Sequence, residues 1–172
     1  MNQALHLLFS RRSIRKFQDQ ALPEAMITDL LQAAMAAPSA MARDPWHFIV
    51  VRERAALTQL AAILPHARML RQAPAAVIVC GDSNRAYQQQ ESYLLQDLSA
   101  AVENILLAAT ALGLGSCWLG VHPSPERMEG VRALFGIPEA ITPMAGIALG
   151  WPAEQPAART RYRAECVHQE RW

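Results

Sequence analysis

The chain has 172 residues, a length that suits one domain, and 52% of them are hydrophobic, enough to bury a core without disulfides or a structural metal. Its 16 basic and 15 acidic side chains leave a net charge of +1, so bulk charge gives no basis for binding nucleic acid or an anionic membrane. Three cysteines, Cys80, Cys117 and Cys166, are odd in number and widely separated, which argues against a disulfide framework or a four-ligand zinc site and favours a reducing compartment.

The N-terminal sequence MNQALHLLFSRRS predicts neither a secretion signal nor a membrane anchor. Its apolar stretch is too short for a signal-peptide core, and no small-residue cleavage pattern follows it. No uninterrupted apolar run in the chain reaches the length that spans a bilayer. We therefore expect a cytoplasmic protein.

The first half of the chain predicts two helices and two strands. Apolar residues at three- and four-residue spacing predict a helix over 22–37, with Pro23 as its first residue and Pro38 beyond its end. The β-branched and apolar segments HFIVVRE and AAVIVCGD are typical of buried strands. Between them, AALTQLAAIL predicts a helix that ends before Pro65.

The second half continues the mixture and ends in a different kind of segment. The longest predicted helix runs from about 92 to 112 and is apolar on more than one face, as expected of a central helix. A strand SCWLGV, a charged helix over 125–135 and a strand ITPMAGIALGW follow. We predict a single α+β domain of mixed layers over 1–172, in which the tail 152–172 has no core of its own and crosses another surface, such as a second subunit.

The densest basic cluster is the segment RRSIRK, which contains Arg11, Arg12, Ser13 and Arg15. Guanidinium groups bind phosphate oxygens through paired planar hydrogen bonds, and a serine hydroxyl adds a further donor. The segment therefore suits a phosphomonoester. A solvated basic turn is the alternative.

A second basic cluster lies near the other end of the chain, at Arg159 and Arg161, with Arg163 close by. It repeats the chemistry of the first cluster, as if two distant segments converged on one dianion. The alternative is an exposed tail whose charges are simply solvated.

The loop APSAMARDPWHF joins the first long helix to the first strand through small residues and two prolines. Such a loop allows the backbone to approach a flat ring closely. The alternative is a tight connection with no ligand.

The glycine-rich block LGLGSCWLG does not form a Rossmann dinucleotide site. In a Rossmann site the glycines follow a strand and open a helix, whereas here they follow a helix and enter a strand. No GKS/T phosphate loop, GxSxG elbow or HExxH helix occurs, and no two histidines have ligand spacing on one helix face, so we expect no metal site. For Asp97 on the long helix, a cap or a buried hydrogen bond is the expected role.

Taken in order, these segments resemble the FMN-dependent nitroreductase family in its short, single-domain form. The resemblance extends over nearly the whole chain, through RRSIRKF, APSAMARDPWHFIVV, QDLSAAVENILLAATALGLGSCWLG, GIALGWPAE and RTRYRAECVHQERW. It implies a nitroreductase-like fold with a central, largely antiparallel sheet flanked by helices. It also implies a homodimer with FMN at the interface and a C-terminal tail that crosses to the partner subunit.

The resemblance assigns roles to individual residues. It implies that the phosphate and ribityl chain of FMN are bound by Arg11, Arg12 and Ser13, with Arg159 and Arg161 completing the phosphate site, and that Arg15 reaches the N1/O2 edge of the flavin. It further implies that Leu119 and Gly120 offer backbone hydrogen bonds near N5 and O4, and that Pro38, Ser39, Ala40 and Met41 of the other subunit border the ring. Relatives commonly carry Asn and Gln where this chain has Ala42 and Asp44, which leaves the effect on flavin affinity open.

The implied activity is hydride transfer from NADH or NADPH through flavin N5 to nitroaromatics, quinones or similar small oxidants, in ping-pong turnover. The cofactor carries such chemistry, so no side chain needs to act as nucleophile or general base. Two alternatives remain: another flavin reaction on this fold, such as dehydrogenation, dehalogenation or flavin breakdown, and a flavin-binding protein without catalysis. The physiological oxidant and the preference for NADH or NADPH do not follow from the sequence.

Overall fold

The computed structural model describes residues 2–172, and helices and strands alternate along that part of the chain. The predicted elements are present, and their ends differ from the predictions by two residues at most. The prediction that Pro23 is the first residue of the helix was wrong: Pro23 is the N-cap, and the helix begins at Glu24. The strands are β1 Trp46–Val51, β2 Ala75–Asp82, β3 Gly115–Gly120 and β4 Ile141–Gly150, and the helices are α1 His6–Ser10, α2 Glu24–Met35, α3 Arg54–Ile63, α4 Glu91–Ala111 and α5 Pro125–Phe135.

The four strands form one sheet in the order β1-β2-β4-β3, and each neighbouring pair is antiparallel. This confirms the predicted central antiparallel sheet. Side chains of β2 alternate between two apolar layers: Val77 and Val79 face one layer, whereas Ile78 and Cys80 face the other. Helices α2 and α4 cover the first face and α3 and α5 cover the second, so the sheet is buried on both sides.

Helix α4 is the longest element, with 21 residues, which corresponds to roughly 31 Å at 1.5 Å per residue. It contacts α1, α2 and the sheet. One side is fully buried, through residues such as Leu98 and Ile105. Leu95, Ala100 and Ala108 remain only half-buried, so an apolar strip of α4 is left partly exposed. No helix in the described residues 2–172 is both long and apolar enough to cross a membrane.

The segment after α1 lies along the outer edge of β3. Ser13 forms a parallel bridge with Ser116, and the amide of Ile14 donates to the Ser116 carbonyl at 2.9 Å. Phe17 then forms an antiparallel bridge with Pro152, which follows β4. Backbone pairing thus fixes residues 13–17 between β3 and the start of the tail.

The end of the C-terminal tail does not pack on the hydrophobic core of the described protomer. Residues 157–172 are exposed throughout, including the large side chains of Tyr162, Val167 and Trp172. Within the described protomer these residues therefore pack on no core.

Candidate flavin site

Two basic segments from opposite ends of the chain meet at one place. The amide of Arg159 donates to the Phe9 carbonyl at 3.1 Å, and the Arg12 guanidinium donates to the Ala157 carbonyl. The charges of Arg161, Arg12 and Arg11 lower the pKa of Arg159 below its ordinary value. The Arg159 guanidinium therefore lies close enough to three other guanidinium groups to be repelled by them.

Such crowding of like charges is unfavourable unless an anion balances it. A carboxylate lies at the edge of the cluster: Glu103 of α4 approaches Arg11 with an Nε–Oε1 distance of 3.6 Å. Both side chains are partly exposed, so this ion pair is weak. A group with several acceptor oxygens and two negative charges, such as a phosphomonoester, fits the remaining donors.

Ser13 connects the arginine cluster to β3. Its backbone bridges to Ser116, next to Cys117, and the charges of Arg15 and Arg11 act on the Cys117 thiol. Burial nevertheless raises the pKa of Cys117, and only 3% of the residue is exposed. Cys117 is therefore a neutral packing residue behind the site.

Arg15 opens onto a separate cleft of about 830 Å³, which is lined by Arg15, His66, Arg68 and Met69. Arg68 begins a short 3-10 turn, and His66 before it adopts a left-handed backbone with φ of 63°. Two guanidinium groups and an imidazole make the cleft suitable for the electron-rich edge of a planar ligand. Sequence reasoning did not assign Arg68 to the site, because its position depends on the turn.

The outer edge of β3 extends from Ser116 to Gly120, about 13 Å at 3.3 Å per residue. Beyond the bridge at Ser116, this edge strand pairs with no further strand in residues 2–172. The Leu119 side chain is buried, and Leu119 pairs with Gly146 of β4. At Gly120 an added Cβ would first meet Arg127 Nη1, at 3.9 Å, and the same nitrogen donates to the Gly120 carbonyl at 3.3 Å.

The loop that follows α2 is held by its own side chains. Ser39 Oγ donates to Asp44 Oδ1 at 2.6 Å, and the Asp44 amide donates back to Ser39 Oγ at 3.0 Å. The left-handed φ values of Met41, Ala42 and Asp44, 54°, 50° and 47°, are uncommon outside glycine. The Asp44 side chain therefore closes this loop. Pro38 and Met41 lie on its exposed surface.

Asp97 fastens the same loop to α4. The Ala40 amide donates to Asp97 Oδ1 at 2.9 Å, which confirms the predicted buried hydrogen bond. Burial raises the pKa of Asp97, the Ala40 bond opposes that shift, and the charge of Asp44 adds to it. Asp97 Oδ2 is buried without a hydrogen-bond partner among the described residues.

One protomer brings together the predicted phosphate-site residues Arg11, Arg12, Ser13, Arg159 and Arg161. The loop 38–41 forms no hydrogen bond with them in the described residues. In the described protomer, the hydrogen bonds of residues 38–41 go to their own loop and to α4. The loop and the cluster contact α4 six residues apart, at Asp97 and Glu103, roughly 9 Å along the helix axis.

Comparison with known proteins gives a match to the family model described as Nitroreductase family, over residues 8–68 and 63–151. A Methanothermobacter thermautotrophicus protein provisionally named NADH dehydrogenase/NAD(P)H nitroreductase is 46% identical over 168 residues, which cover 98% of this chain and 87% of the relative.

Solved structures match the fold over its full length. A Parabacteroides distasonis protein, also provisionally named NADH dehydrogenase/NAD(P)H nitroreductase, superposes with a TM-score of 0.93 at 38% identity, covering 100% of both chains. A Desulfovibrio desulfuricans protein provisionally named a nitroreductase was solved in complex with FMN. It has a TM-score of 0.85 at 32% identity, with 100% of this chain and 99% of that chain covered.

Proposed function

The chain belongs to the nitroreductase family, and on this premise we propose that it passes electrons from NADH or NADPH through bound FMN to nitroaromatics, quinones or similar small oxidants in ping-pong turnover. It is an NAD(P)H-dependent flavin oxidoreductase. FMN as the cofactor is supported by the relative solved with FMN and by relatives named FMN reductase. The observation that carries the proposal is the convergence of four arginines from the two ends of the chain.

That convergence fits the phosphate of FMN. The phosphate is a dianion with several acceptor oxygens, which matches the guanidinium donors of Arg11, Arg12, Arg159 and Arg161. Ser13 would add a hydroxyl donor beside the ribityl chain. Because the cluster combines residues from opposite ends of the chain, phosphate binding would also hold the tail in place.

Arg15 would act on the ring end of the cofactor. Its backbone is fixed while its side chain reaches the cleft that it shares with Arg68. A cation near N1 and O2 stabilises negative charge at that edge of the ring. We therefore assign Arg15 an electrostatic role and no proton transfer.

The remaining contacts would come from backbone and from a second subunit. Leu119 and Gly120 lie on the edge strand β3, and their backbone would hydrogen-bond to the N5 and O4 side of the ring. The hydrogen bonds of the loop 38–41 go to its own residues and to α4, and none goes to the arginine cluster of the described protomer. We propose that Pro38, Ser39, Ala40 and Met41 border the ring bound by the partner subunit.

FMN, when bound, supplies the redox chemistry by accepting hydride at N5 and returning it to an oxidant. The residues named above bind the phosphate, orient the ring and balance its charge. Asp97 is buried and hydrogen-bonded to the loop, and Cys117 is buried behind the site, so neither is proposed as an acid or a base.

We propose that the working form is a homodimer. Apolar side chains are left for a partner to cover: the half-buried strip of α4, the exposed Leu5, Leu7 and Leu8 in and beside α1, and the exposed Tyr162, Val167 and Trp172 of the tail. Isologous pairing is the commonest way to cover such a surface. Sedimentation velocity of the flavin-loaded protein should give twice the chain mass; a flavin-loaded monomer would contradict the proposal.

The cytoplasm is the proposed compartment. Cys80, Cys117 and Cys166 are free thiols, a state that reducing compartments preserve.

The activity is tested by reconstituting the purified protein with FMN and following NADH or NADPH oxidation with a nitroaromatic and with a quinone. Parallel lines in double-reciprocal plots are expected for ping-pong turnover. Bound flavin that neither cofactor reduces would support a binding protein without catalysis, and reduction without turnover of either oxidant would support a different flavin reaction.

A further inference from the structure

One carboxylate lies inside the basic site. Glu154 Oε1 accepts hydrogen bonds from the amides of Arg15 and Lys16, at 2.6 Å and 3.2 Å, across about 139 residues of sequence. Glu154 is half-buried where the tail leaves β4. A single oxygen therefore fixes two consecutive peptide units of the segment that bears Arg15.

The carboxylate continues a backbone ladder. Phe17 pairs with Pro152, and the Ala153 amide donates to the Lys16 carbonyl at 2.9 Å. Glu154 takes the next position with its side chain. Because it bonds the Arg15 backbone and not its guanidinium, the Arg15 side chain stays free to reach the cleft with His66 and Arg68.

The charge of Glu154 opposes anion binding at this place. Glu154 and Arg12 line one cavity of about 220 Å³, and the Glu154 charge also acts on Cys117. A carboxylate beside a phosphate site repels the phosphate. If Glu154 acted by charge alone, its removal would strengthen FMN binding.

We propose, resting on the proposed function, that Glu154 is a positioning residue for the cofactor: by fixing the Arg15 backbone it directs the Arg15 guanidinium into the cleft where the flavin ring binds. The gain from positioning Arg15 outweighs the repulsion between Glu154 and the phosphate. Positioning and simple charge therefore predict opposite effects of truncating Glu154.

The test is titration of the apoprotein with FMN, followed by flavin fluorescence, for wild type, Glu154→Ala, Glu154→Gln, Arg15→Ala and the Glu154→Ala/Arg15→Ala double variant. We expect Glu154→Ala to weaken FMN binding by about tenfold, because charge-assisted hydrogen bonds hold the Arg15 segment. Glu154→Gln retains an acceptor oxygen and should stay within about threefold of wild type. In the Arg15→Ala background, truncating Glu154 should cost less than about twofold. Glu139→Ala, an exposed carboxylate between α5 and β4, is the control.

Unfolding temperatures without FMN identify a variant that fails to fold. If Glu154→Ala fails, Glu154→Asp takes its place, because the shorter side chain keeps the charge and loses reach, and weaker FMN binding is again expected. Binding by the truncated variant as tight as or tighter than wild type would overturn the inference. So would an equal loss with and without Arg15. Wild-type protein that binds no FMN would instead overturn the proposed function itself.

Discussion

Removal of single arginines from the cluster should release the flavin without unfolding the protein. A charge-assisted contact to phosphate contributes about 1.5 to 3 kcal/mol, which is roughly one to two orders of magnitude in affinity. Arg11 is only 29% exposed, so Arg11→Ala should fall within this range. Arg161 is exposed, so solvent screens its contact and Arg161→Ala should weaken FMN binding by about tenfold, at the lower end.

The repulsion among the arginines also predicts the stability of the variants without FMN. Arg161 and Arg11 both act on Arg159, so removing either one relieves repulsion in the apoprotein. The unfolding temperature of the apoprotein should therefore stay equal or rise, while the stabilisation by added FMN falls. Loss of binding can in this way be separated from loss of folding.

The assay measures FMN dissociation constants and flavin retention through gel filtration for Arg11→Ala, Arg161→Ala and the double variant. Arg163→Ala is the matched control, because Arg163 lies in the same tail but pairs with Glu165 at 3.9 Å. The double variant should elute without flavin, and the control should elute with it. Flavin that stays on the double variant would refute the assignment of the phosphate site.

Three further predictions concern the ring, the β3 edge and the loop. Arg15→Ala should lower the midpoint potential of the bound flavin or weaken FMN binding, because a cation near N1 is lost; spectroelectrochemistry and titration measure both. Gly115→Ala should weaken FMN binding and cost about 1 to 3 kcal/mol in unfolding experiments, because the new Cβ would lie 2.7 Å from Ile14 Cγ2. Asp97→Asn should stabilise the protein at neutral pH, measured by urea unfolding. The pKa of Asp97 is raised in the folded state. Its contribution to the free energy of unfolding is therefore complete below the ordinary pKa of 3.8 and is lost as the pH rises through the folded-state pKa.

Each of these has a contrary outcome. Unchanged potential and affinity in Arg15→Ala would remove its electrostatic role. Gly146→Ala is the control for Gly115→Ala, since its Cβ would meet neighbours at an ordinary 3.5 Å, and equal effects of the two variants would contradict the proposed crowding of Ile14. A stability difference between Asp97→Asn and wild type that stays the same from about pH 4 to pH 8 would show that Asp97 ionisation is not involved.

Periodic and local features of the sequence predicted the fold well. The helix α4 and the strand β2 were found because their apolar patterns extend over many residues. The order of the strands does not follow from such patterns, because β4 lies between β2 and β3 in space but comes last along the chain. The family resemblance, and not periodicity, supplied the antiparallel sheet.

For the candidate site, too, the sequence indicated some residues and not others. Runs of like residues pointed to Arg12 and Arg159, whose chemistry is visible in the sequence. Glu154 was missed, because an isolated carboxylate acquires its role only when the chain folds it against a segment 139 residues away. Arg68 was not assigned, because a short turn, which has no periodic signature, directs it into the cleft.

The central claim is that this chain binds FMN and reduces it with a nicotinamide cofactor. The most direct measurement is an anaerobic visible spectrum of the purified protein before and after adding NADH, and then NADPH. Our account predicts a flavin spectrum that bleaches with at least one of the two. Flavin that stays oxidised with both would contradict the reductive half-reaction, and protein that takes up no FMN after reconstitution would contradict the cofactor site.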